Sequence, residues 1–295
     1  MNTFDQSLLE RAAGFFELGK ITSIEEASDG LSNGNFFVKT KMGHYVLRIL
    51  QSQTVVGLVN EFAIQQQLAK AGIETADFMY GRNNNYYFKD NDTVATCSYK
   101  IKGIHLSPPL NADLCWQVGS TLALFHTHVH LPNPHQGWLN KLIVMKNSTT
   151  LPKEAVATRI KNYIDGALSI FDLPLPQGYI HGDLHAGNML LTADKKLAVF
   201  DFEESEKNIL ILDIAKSISE ICVTKEWRLD SGLVDSLLDG YSSVRQITPQ
   251  ELESLPLAIT YVAAASSVWL YQEGHHQFVQ ENLSVIESIP RIKFK

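Results

Sequence analysis

Cysteine is scarce in this 295-residue chain, and Cys97, Cys115 and Cys222 stand far apart with no C-x-x-C pair. That pattern argues against a disulfide framework or a structural zinc site and makes a reducing cytoplasm the expected setting. The N-terminus, Met1-Asn2-Thr3-Phe4-Asp5, lacks the basic and then apolar run of a secretory signal. Long hydrophobic runs are missing as well. The most apolar stretch, Ala258 to Leu270, is interrupted by Thr260, Tyr261, Ser266 and Ser267 and falls short of the roughly 20 residues a bilayer span requires, so no membrane partner is expected. Positive charge is in deficit, with 25 Lys and Arg against 32 Asp and Glu, a formal net charge of −7. Nucleic acid, which calls for a basic face, is therefore not an expected partner; a cationic small molecule suits the balance better. No internal repeat or low-complexity linker divides the chain.

What is present is the make-up of an ordinary globular protein, 45% hydrophobic and 19% charged, long enough for two lobes. Its centre is His181-Gly182-Asp183-Leu184-His185-Ala186-Gly187-Asn188, followed by Ala198-Val199-Phe200-Asp201-Phe202-Glu203. Between them, Met189-Leu190-Leu191, the turn Ala193-Asp194-Lys195-Lys196 and Leu197 to Phe200 predict a β-hairpin. The hairpin carries Asp183 and Asn188 on a loop at one side and Asp201 just past its far end. Magnesium takes hard oxygen ligands, only one or two of them from protein when phosphates supply the rest; Asn188 and Asp201 suit that role. Asp183 has no fixed cation beside it in the sequence and is free to accept or orient a hydroxyl proton. The competing reading, that His181 and Asp183 only cap a turn, does not account for Asn188, the hairpin and Asp201 all falling where phosphoryl transfer needs them.

The spacing His-x-Asp-x-x-x-x-Asn matches the catalytic loop of protein kinases, with Gly182 where those have Arg, and Asp201-Phe202-Glu203 stands where they have Asp-Phe-Gly. On these residues the chain resembles the superfamily of aminoglycoside phosphotransferases, choline kinases and homoserine kinases over nearly its whole length. The resemblance implies an α+β, bilobal protein-kinase-like fold with an antiparallel-sheet N-lobe, residues 1–102, and a mainly helical C-lobe, residues 103–295. It implies ATP and Mg2+ as cofactors, Asp183 as the catalytic base, and Asn188 and Asp201 as metal ligands.

Ser7 to Leu18 carries a helical apolar stripe that stops at Gly19. Gly14 to Lys20 approaches a phosphate-loop pattern but has Ile21 where Ser or Thr would hold magnesium, so it reads as a helix end. Ile21 to Ala27, Phe36 to Thr40 and Tyr45 to Leu50 predict a β-meander. Its first turn contains Gly30, Ser32 and Asn33, small enough to bring backbone N–H groups close to phosphates, although a plain hairpin turn reads equally from the residues. Gly30-Leu31-Ser32-Asn33 ahead of Tyr45-Val46-Leu47-Arg48-Ile49 resembles choline-kinase-like members, which favours the phosphate role. Alternation puts Val46 and Arg48 on one face; in the kinase fold that face looks at the nucleotide, Val46 at adenine and Arg48 at the phosphates. Many relatives have Lys there, and Arg keeps the charge and can grip oxygens bidentately. Thr54 to Lys70 reads as an amphipathic helix. Its Glu61 is either the carboxylate that pairs the strand cation in the family or a solvated charge.

Tyr86 to Phe88 and Thr93 to Ile101 predict two more strands. Lys100-Ile101-Lys102-Gly103 would be the interlobe hinge, its backbone at Ile101 meeting adenine. Beyond it, Ala112 to Phe125, Glu154 to Phe171, Ile209 to Val223 and Leu229 to Val244 predict helices, with two more around Pro256. His126, His128 and His130 read as a frayed, solvated helix end rather than a zinc site. Asp213, in an Asp-Ile-Ala triplet typical of the family, would brace the catalytic loop. The short segment from Asp201 to Asp213, without Ala-Pro-Glu, argues against a protein substrate.

The expected activity is transfer of a phosphoryl group to the hydroxyl of a small, amine-bearing acceptor, choline-like or homoserine-like. Glu203, Glu204, Glu206, Glu220, Glu226 and Glu273 are candidate amine-facing carboxylates, solvated surface charge being the alternative for each. An aminoglycoside acceptor is the second reading. A nucleotide-binding regulatory module without turnover is a third, which a damaged catalytic set would favour; Asp183, Asn188 and Asp201 are all present.

Overall fold

The computed structural model describes residues 6–27, 34–50, 55–131 and 137–294. Gly30, Ser32 and Asn33, the expected phosphate-facing turn, lie outside the described residues. The chain opens with α1 (Gln6–Phe15), then β1 (Ile21–Glu26), β2 (Gly34–Thr40), β3 (His44–Leu50) and α2 (Val55–Lys70). The short β4 (Glu74–Thr75) leads to β5 (Phe88–Asp90), β6 (Thr93–Tyr99) and β7 (Gly103–His105). Strands β1-β2-β3-β6-β5 form one antiparallel sheet in that order. Period-two alternation decides its faces. Tyr45, Leu47 and Ile49 of β3 join Phe36 and Val38 of β2 and pack on Leu8, Leu9, Ala12 and Ala13 of α1, which leaves Val46 and Arg48 for the opposite face.

The remaining chain is mainly helical: α3 (Ala112–His128), α4 (Lys141–Thr149), α5 (Ala155–Ala167), α6 (Leu210–Ile221), α7 (Ser231–Ser242), α8 (Pro249–Gln272) and α9 (His276–Ser288). Set into it are β8 (Gln177–Ile180), β9 (Met189–Thr192), β10 (Leu197–Val199) and β11 (Glu206–Ile209). The β9-β10 hairpin sits inside a sheet of order β4-β10-β9-β7, and β8 pairs β11. This is the bilobal, kinase-like α+β fold that the motif spacing implied.

Some details differ from the sequence expectation. Helix α4 was not foreseen; Asn140 caps it by accepting from the Leu142 N–H at 3.0 Å. Tyr86 is not in a strand but stacks on Phe62, centroids 4.2 Å apart. The apolar run at Ala258–Leu270 belongs to a longer helix, α8, which passes through Pro256 for 24 residues from a Thr248/Glu251 capping box. By length and composition alone α8 would suit a membrane. Its apolar residues, Leu255, Ile259, Tyr261 and Val262 among them, are instead spent in the core with α5, α6 and α9.

The closest helix crossing is α3 on α7. A Cβ at Gly119 would lie 2.0 Å from the Leu237 carbonyl oxygen, and one at Gly240 2.0 Å from that of Trp116, so only glycine lets these backbones touch. The crossing matters because α3 carries His126 and α7 carries Tyr241. Gly119→Ala is expected to cost about 3 kcal/mol of unfolding free energy by overpacking. Gly166→Ala, exposed on α5 with nothing within 4 Å, should instead gain roughly 0.5–1 kcal/mol. Urea unfolding of both variants checks the contrast.

Candidate active site

The loop between β8 and β9 carries the central motif, and α6 is the element it leans on. Asp213, fully buried, accepts from the backbone N–H of His181 at 2.7 Å (Oδ2) and of Gly182 at 3.0 Å (Oδ1). The loop carbonyls are equally well used. His181 accepts from Ser205 Oγ, Gly182 from the Trp138 indole at 3.1 Å, Asp183 from Asn188 Nδ2 at 2.9 Å, and Leu184 from Ser217 Oγ at 3.0 Å. Buried backbone polar groups left unpaired are costly, and here each of these is answered by a side chain held elsewhere in the fold. Gly182 has φ +83°, and a Cβ there would lie 2.5 Å from the Glu204 carbonyl oxygen. This explains glycine at the position where protein kinases have Arg: there is no room for a side chain and the backbone is left-handed.

Behind Asp213 runs a chain of donors. Arg245 donates to the Tyr241 hydroxyl at 3.1 Å and to Glu251 at 2.9 Å; Tyr241 meets His126 Nδ1 at 2.7 Å, and His126 Nε2 meets Asp213 Oδ2 at 3.0 Å. The network assigns the tautomer: Nδ1 accepts and Nε2–H donates. His126 is thus a buried strut of the catalytic loop, which corrects its reading as a solvated helix end. His128 bonds its own helix at Leu124 O, and His130 lies past the helix and bonds Gln67 through its backbone. The signal that was available is position: His126 falls on the buried stripe of α3 with Cys115, Val118 and Leu122.

Asp183 is not without a cation. Lys216 Nζ lies 3.2 Å from its Oδ1 and 2.8 Å from Glu220 Oε1, and His185 Nε2 lies 3.4 Å from Asp183 Oδ2. Burial alone would raise the Asp183 pKa, but Lys216 and then His185 hold it well below the usual carboxylate range. Lys216 and His185 are held above their ordinary values in return, despite burial. The sequence carries the signal in its spacing: Asp213, Lys216, Ser217 and Glu220 fall at i, i+3, i+4 and i+7, one face of a helix, and that face is turned to the loop.

On the sheet side, Arg48 forms an ion pair with Glu61 of α2, and its Nη1 lies 3.8 Å from Asp201 Oδ1. Of the two readings of Glu61, the paired carboxylate is the one observed. Glu61 and Asp201 keep Arg48 charged against the cost of burial. Val46 flanks it, half-buried on the same strand face. Asp201 has φ +69°, an unusual backbone for a non-glycine residue. Its Oδ1 is buried and accepts no hydrogen bond among the described residues.

Asn188 donates from Nδ2 to the Asp183 carbonyl and also stands 3.4 Å from Asp183 Oδ2. With its nitrogen so committed, its amide oxygen is the atom left for a ligand. That oxygen and Asp201 Oδ1 are the donor types a hard divalent cation takes, so these residues fit magnesium. Burial and the neighbouring Glu203 push the Asp201 carboxyl up to about 7, the strain expected of clustered carboxylates that a cation would relieve.

The structure therefore joins Asp183 to Asn188, and Arg48 to Glu61 and Asp201, with Asp183 close enough to Asp201 to act on its charge and Val46 beside Arg48 on β3. Ile101 lies in the linker between β6 and β7 and lines an open cavity of about 650 Å³ with Glu74, Asp77, Lys100, Lys102 and Asp194; Asp183, Asn188 and Asp201 do not line it. Of the other acids, Glu203 and Glu204 are half-buried, Glu203 acting on the charge of Asp201 and Glu204 feeling that of Asp183, and Glu220 is engaged by Lys216. Glu206 is buried, accepting from Gly137 N–H at 2.8 Å and Asn208 at 2.9 Å. Glu226 and Glu273 are exposed.

Residues 23–247 match the family model described as the APH phosphotransferase enzyme family. The chain is 28% identical over 271 residues to the homoserine kinase of Methylobacillus flagellatus, covering 90% of this chain and 83% of that protein. It is 27% identical over 263 residues to that of Sinorhizobium medicae, covering 84% and 78%. Among solved structures it superposes on an amicoumacin kinase, hAmiN, in complex with AMP-PNP and Ca2+, with a TM-score of 0.81 at 16% identity, covering 99% and 96% of the two chains. It also superposes on a microcompartment-associated aminopropanol kinase, TM-score 0.73 at 15% identity, covering 97% of each. Fold, loop and family match together define a phosphotransferase that acts on a hydroxyl group. The chain belongs to the APH phosphotransferase enzyme family.

Burial pushes the Glu206 carboxyl from 4.5 up to about 7 in the folded protein. Between those values the folded chain holds a proton that the unfolded chain has lost, so Glu206 lowers stability as pH rises from about 4.5 to about 7. Each unit of separation is worth roughly 1.4 kcal/mol. Urea unfolding at pH 5 and pH 8 should show less loss of stability across that interval in Glu206→Gln than in the parent.

Proposed function

We propose that this protein transfers the γ-phosphoryl group of ATP to the hydroxyl of a small amine-bearing alcohol, with magnesium as the divalent ion. Two observations carry the reading: the Asn188 amide nitrogen is tied to Asp183, which leaves its oxygen for a ligand, and the buried Asp201 Oδ1 accepts no hydrogen bond among the described residues. The loop before β9 and the residue just past β10 thereby join a base to a hard-cation donor set, the combination phosphoryl transfer requires.

Asp183 lies ionised at the centre, aimed by Lys216, His185 and Asn188. It aligns the acceptor hydroxyl and takes its proton as the new bond to phosphorus forms, late in a loose transition state. Arg48, held by Glu61, steadies the α and β phosphates. Val46 and the backbone at Ile101 hold adenine between residues 1–102 and 103–295. Asn188 and Asp201 would hold the magnesium ion, which would supply neutralisation of phosphate charge. Positioning and charge compensation account for most of the catalysis in such a reaction.

Support for an amine-bearing acceptor comes from two directions. Homoserine, aminopropanol and choline, named for relatives and structural neighbours, each join a hydroxyl to a nitrogen cation. The half-buried Glu203 and Glu204 add negative charge beside Asp183, and Glu204 is itself pushed up to about 7 by burial and by Glu203, a state that an adjacent ammonium would reverse. A cytoplasmic setting belongs to the proposal, and the unpaired, buried thiols of Cys97, Cys115 and Cys222 suit it.

An ADP-release assay with homoserine, choline, ethanolamine, aminopropanol and aminoglycosides, with and without magnesium, tests the reading. Acceptor-dependent, magnesium-dependent release is expected with at least one small amino alcohol. Asp183→Ala should lower turnover by about 10³-fold with nucleotide affinity within threefold of the parent. Nucleotide binding without release for any acceptor would favour a regulatory module instead.

A further inference from the structure

Lys216 sits where a purely structural lysine is hard to explain. It is 5% exposed, on the core side of α6, yet its ammonium reaches the face of Asp183. Glu220, one turn later on the same helix, holds it from one side, and the Trp138 ring lies 5.4 Å from Nζ on another. Burying an ammonium is costly unless it is paired, and Glu220 alone would pair it. The reach to Asp183 needs a further reason.

We propose that Lys216 is a second catalytic cation, whose ammonium contacts the transferred phosphoryl group from the acceptor side, opposite Arg48, with Glu220 as its positioning carboxylate. This rests on the phosphotransfer reading above. An acceptor oxygen within hydrogen-bond reach of Asp183, roughly 2.6–3.2 Å, is bonded to phosphorus as transfer proceeds. A group 3.2 Å from the Asp183 carboxylate is then a neighbour of the phosphoryl oxygens as well. Arg48 cannot serve that side, being committed to Glu61 and Asp201.

The timing of charge favours the role. In the transfer the acceptor oxygen forms its bond to the γ-phosphorus, the bond from that phosphorus to the β,γ-bridging oxygen breaks with its electron pair leaving on ADP, and the hydroxyl proton passes to Asp183. Lys216 gains and loses no proton. Before transfer its ammonium is shared between two carboxylates. As the acceptor oxygen closes on phosphorus, the phosphoryl oxygens come within reach of the ammonium that Glu220 holds in place. The contact is thus stronger in the transition state than in the ground state, which is the condition for a contact to raise kcat.

The test uses Lys216→Met, Lys216→Arg and Glu220→Gln in the full chain. Lys216→Met should lower kcat about 10²–10³-fold, with KM for ATP within threefold; Lys216→Arg should recover at least a tenth of the parent kcat, and Glu220→Gln should lose about tenfold. Affinity for ADP, magnesium and aluminium fluoride, a mimic of the transferred phosphoryl, gives a readout apart from turnover. Lys216→Met should weaken it at least tenfold while ADP and magnesium alone bind as in the parent. The same weakening should appear when Lys216→Met is added to Asp183→Asn; a loss that vanishes in that background means Lys216 acts only through Asp183 and overturns the proposal. Should Lys216→Met not fold, Glu220→Gln decides, and parental kcat and fluoride-complex affinity in it overturn the proposal. A parent without acceptor-dependent turnover removes the phosphotransfer reading and this inference together, whereas an active parent with unaffected variants removes this inference alone.

Discussion

The carboxylate of Asp213 is the contact on which the rest of the site depends. Two consecutive loop N–H groups end on its two oxygens, and without them His181 and Gly182 would hold buried, unanswered donors. Because Asp213 is on α6, the loop is referenced to a helix rather than to its own short length. Because His126 and Tyr241 lock Asp213 from behind, α6 is in turn referenced to α3 and α7, whose backbones meet at Gly119 and Gly240. The position of the loop that carries Asp183 is set by helix packing some distance away.

Charge is distributed around that frame with a clear logic. Glu203 and Asp183 raise the cost of ionising Asp201 and Glu204, and two fixed cations stand by this cluster. Arg48 stands on the sheet side with Glu61, and Lys216 on the helix side with Glu220. Each cation has one carboxylate that holds it and one that belongs to the central cluster. What remains uncompensated is negative, which is the condition for receiving a divalent ion and an acceptor ammonium.

Much of this was legible in the chain. The hairpin of β9 and β10, the placing of Asp183, Asn188 and Asp201 about it, the meander β1-β2-β3 and the side of β3 on which Arg48 falls all follow from periods of two and from short turns. The short strands β8 and β11 carry no such pattern, and the site side chains that the sequence left unmarked lie on helices. His126 looked solvated because neighbouring histidines drew attention to the helix end, although its own position is on the buried stripe with Val118 and Leu122. Lys216 meets Asp183 from α6, far along the chain, so no neighbour of Asp183 in sequence marks it. Helix α8 looked too short because its apolar run was counted without the capped polar turn that begins it.

Sequence by itself determined the class of reaction, because the motif that marks the family falls on residues a few positions apart on one loop and hairpin, where covalent spacing leaves little freedom. The tertiary structure alone decided which partners those residues meet. Arg48 with Glu61, Lys216 with Asp183, and Asp213 with His126 each join elements distant in the chain, and such meetings depend on how faces pack, a quantity that no local pattern contains.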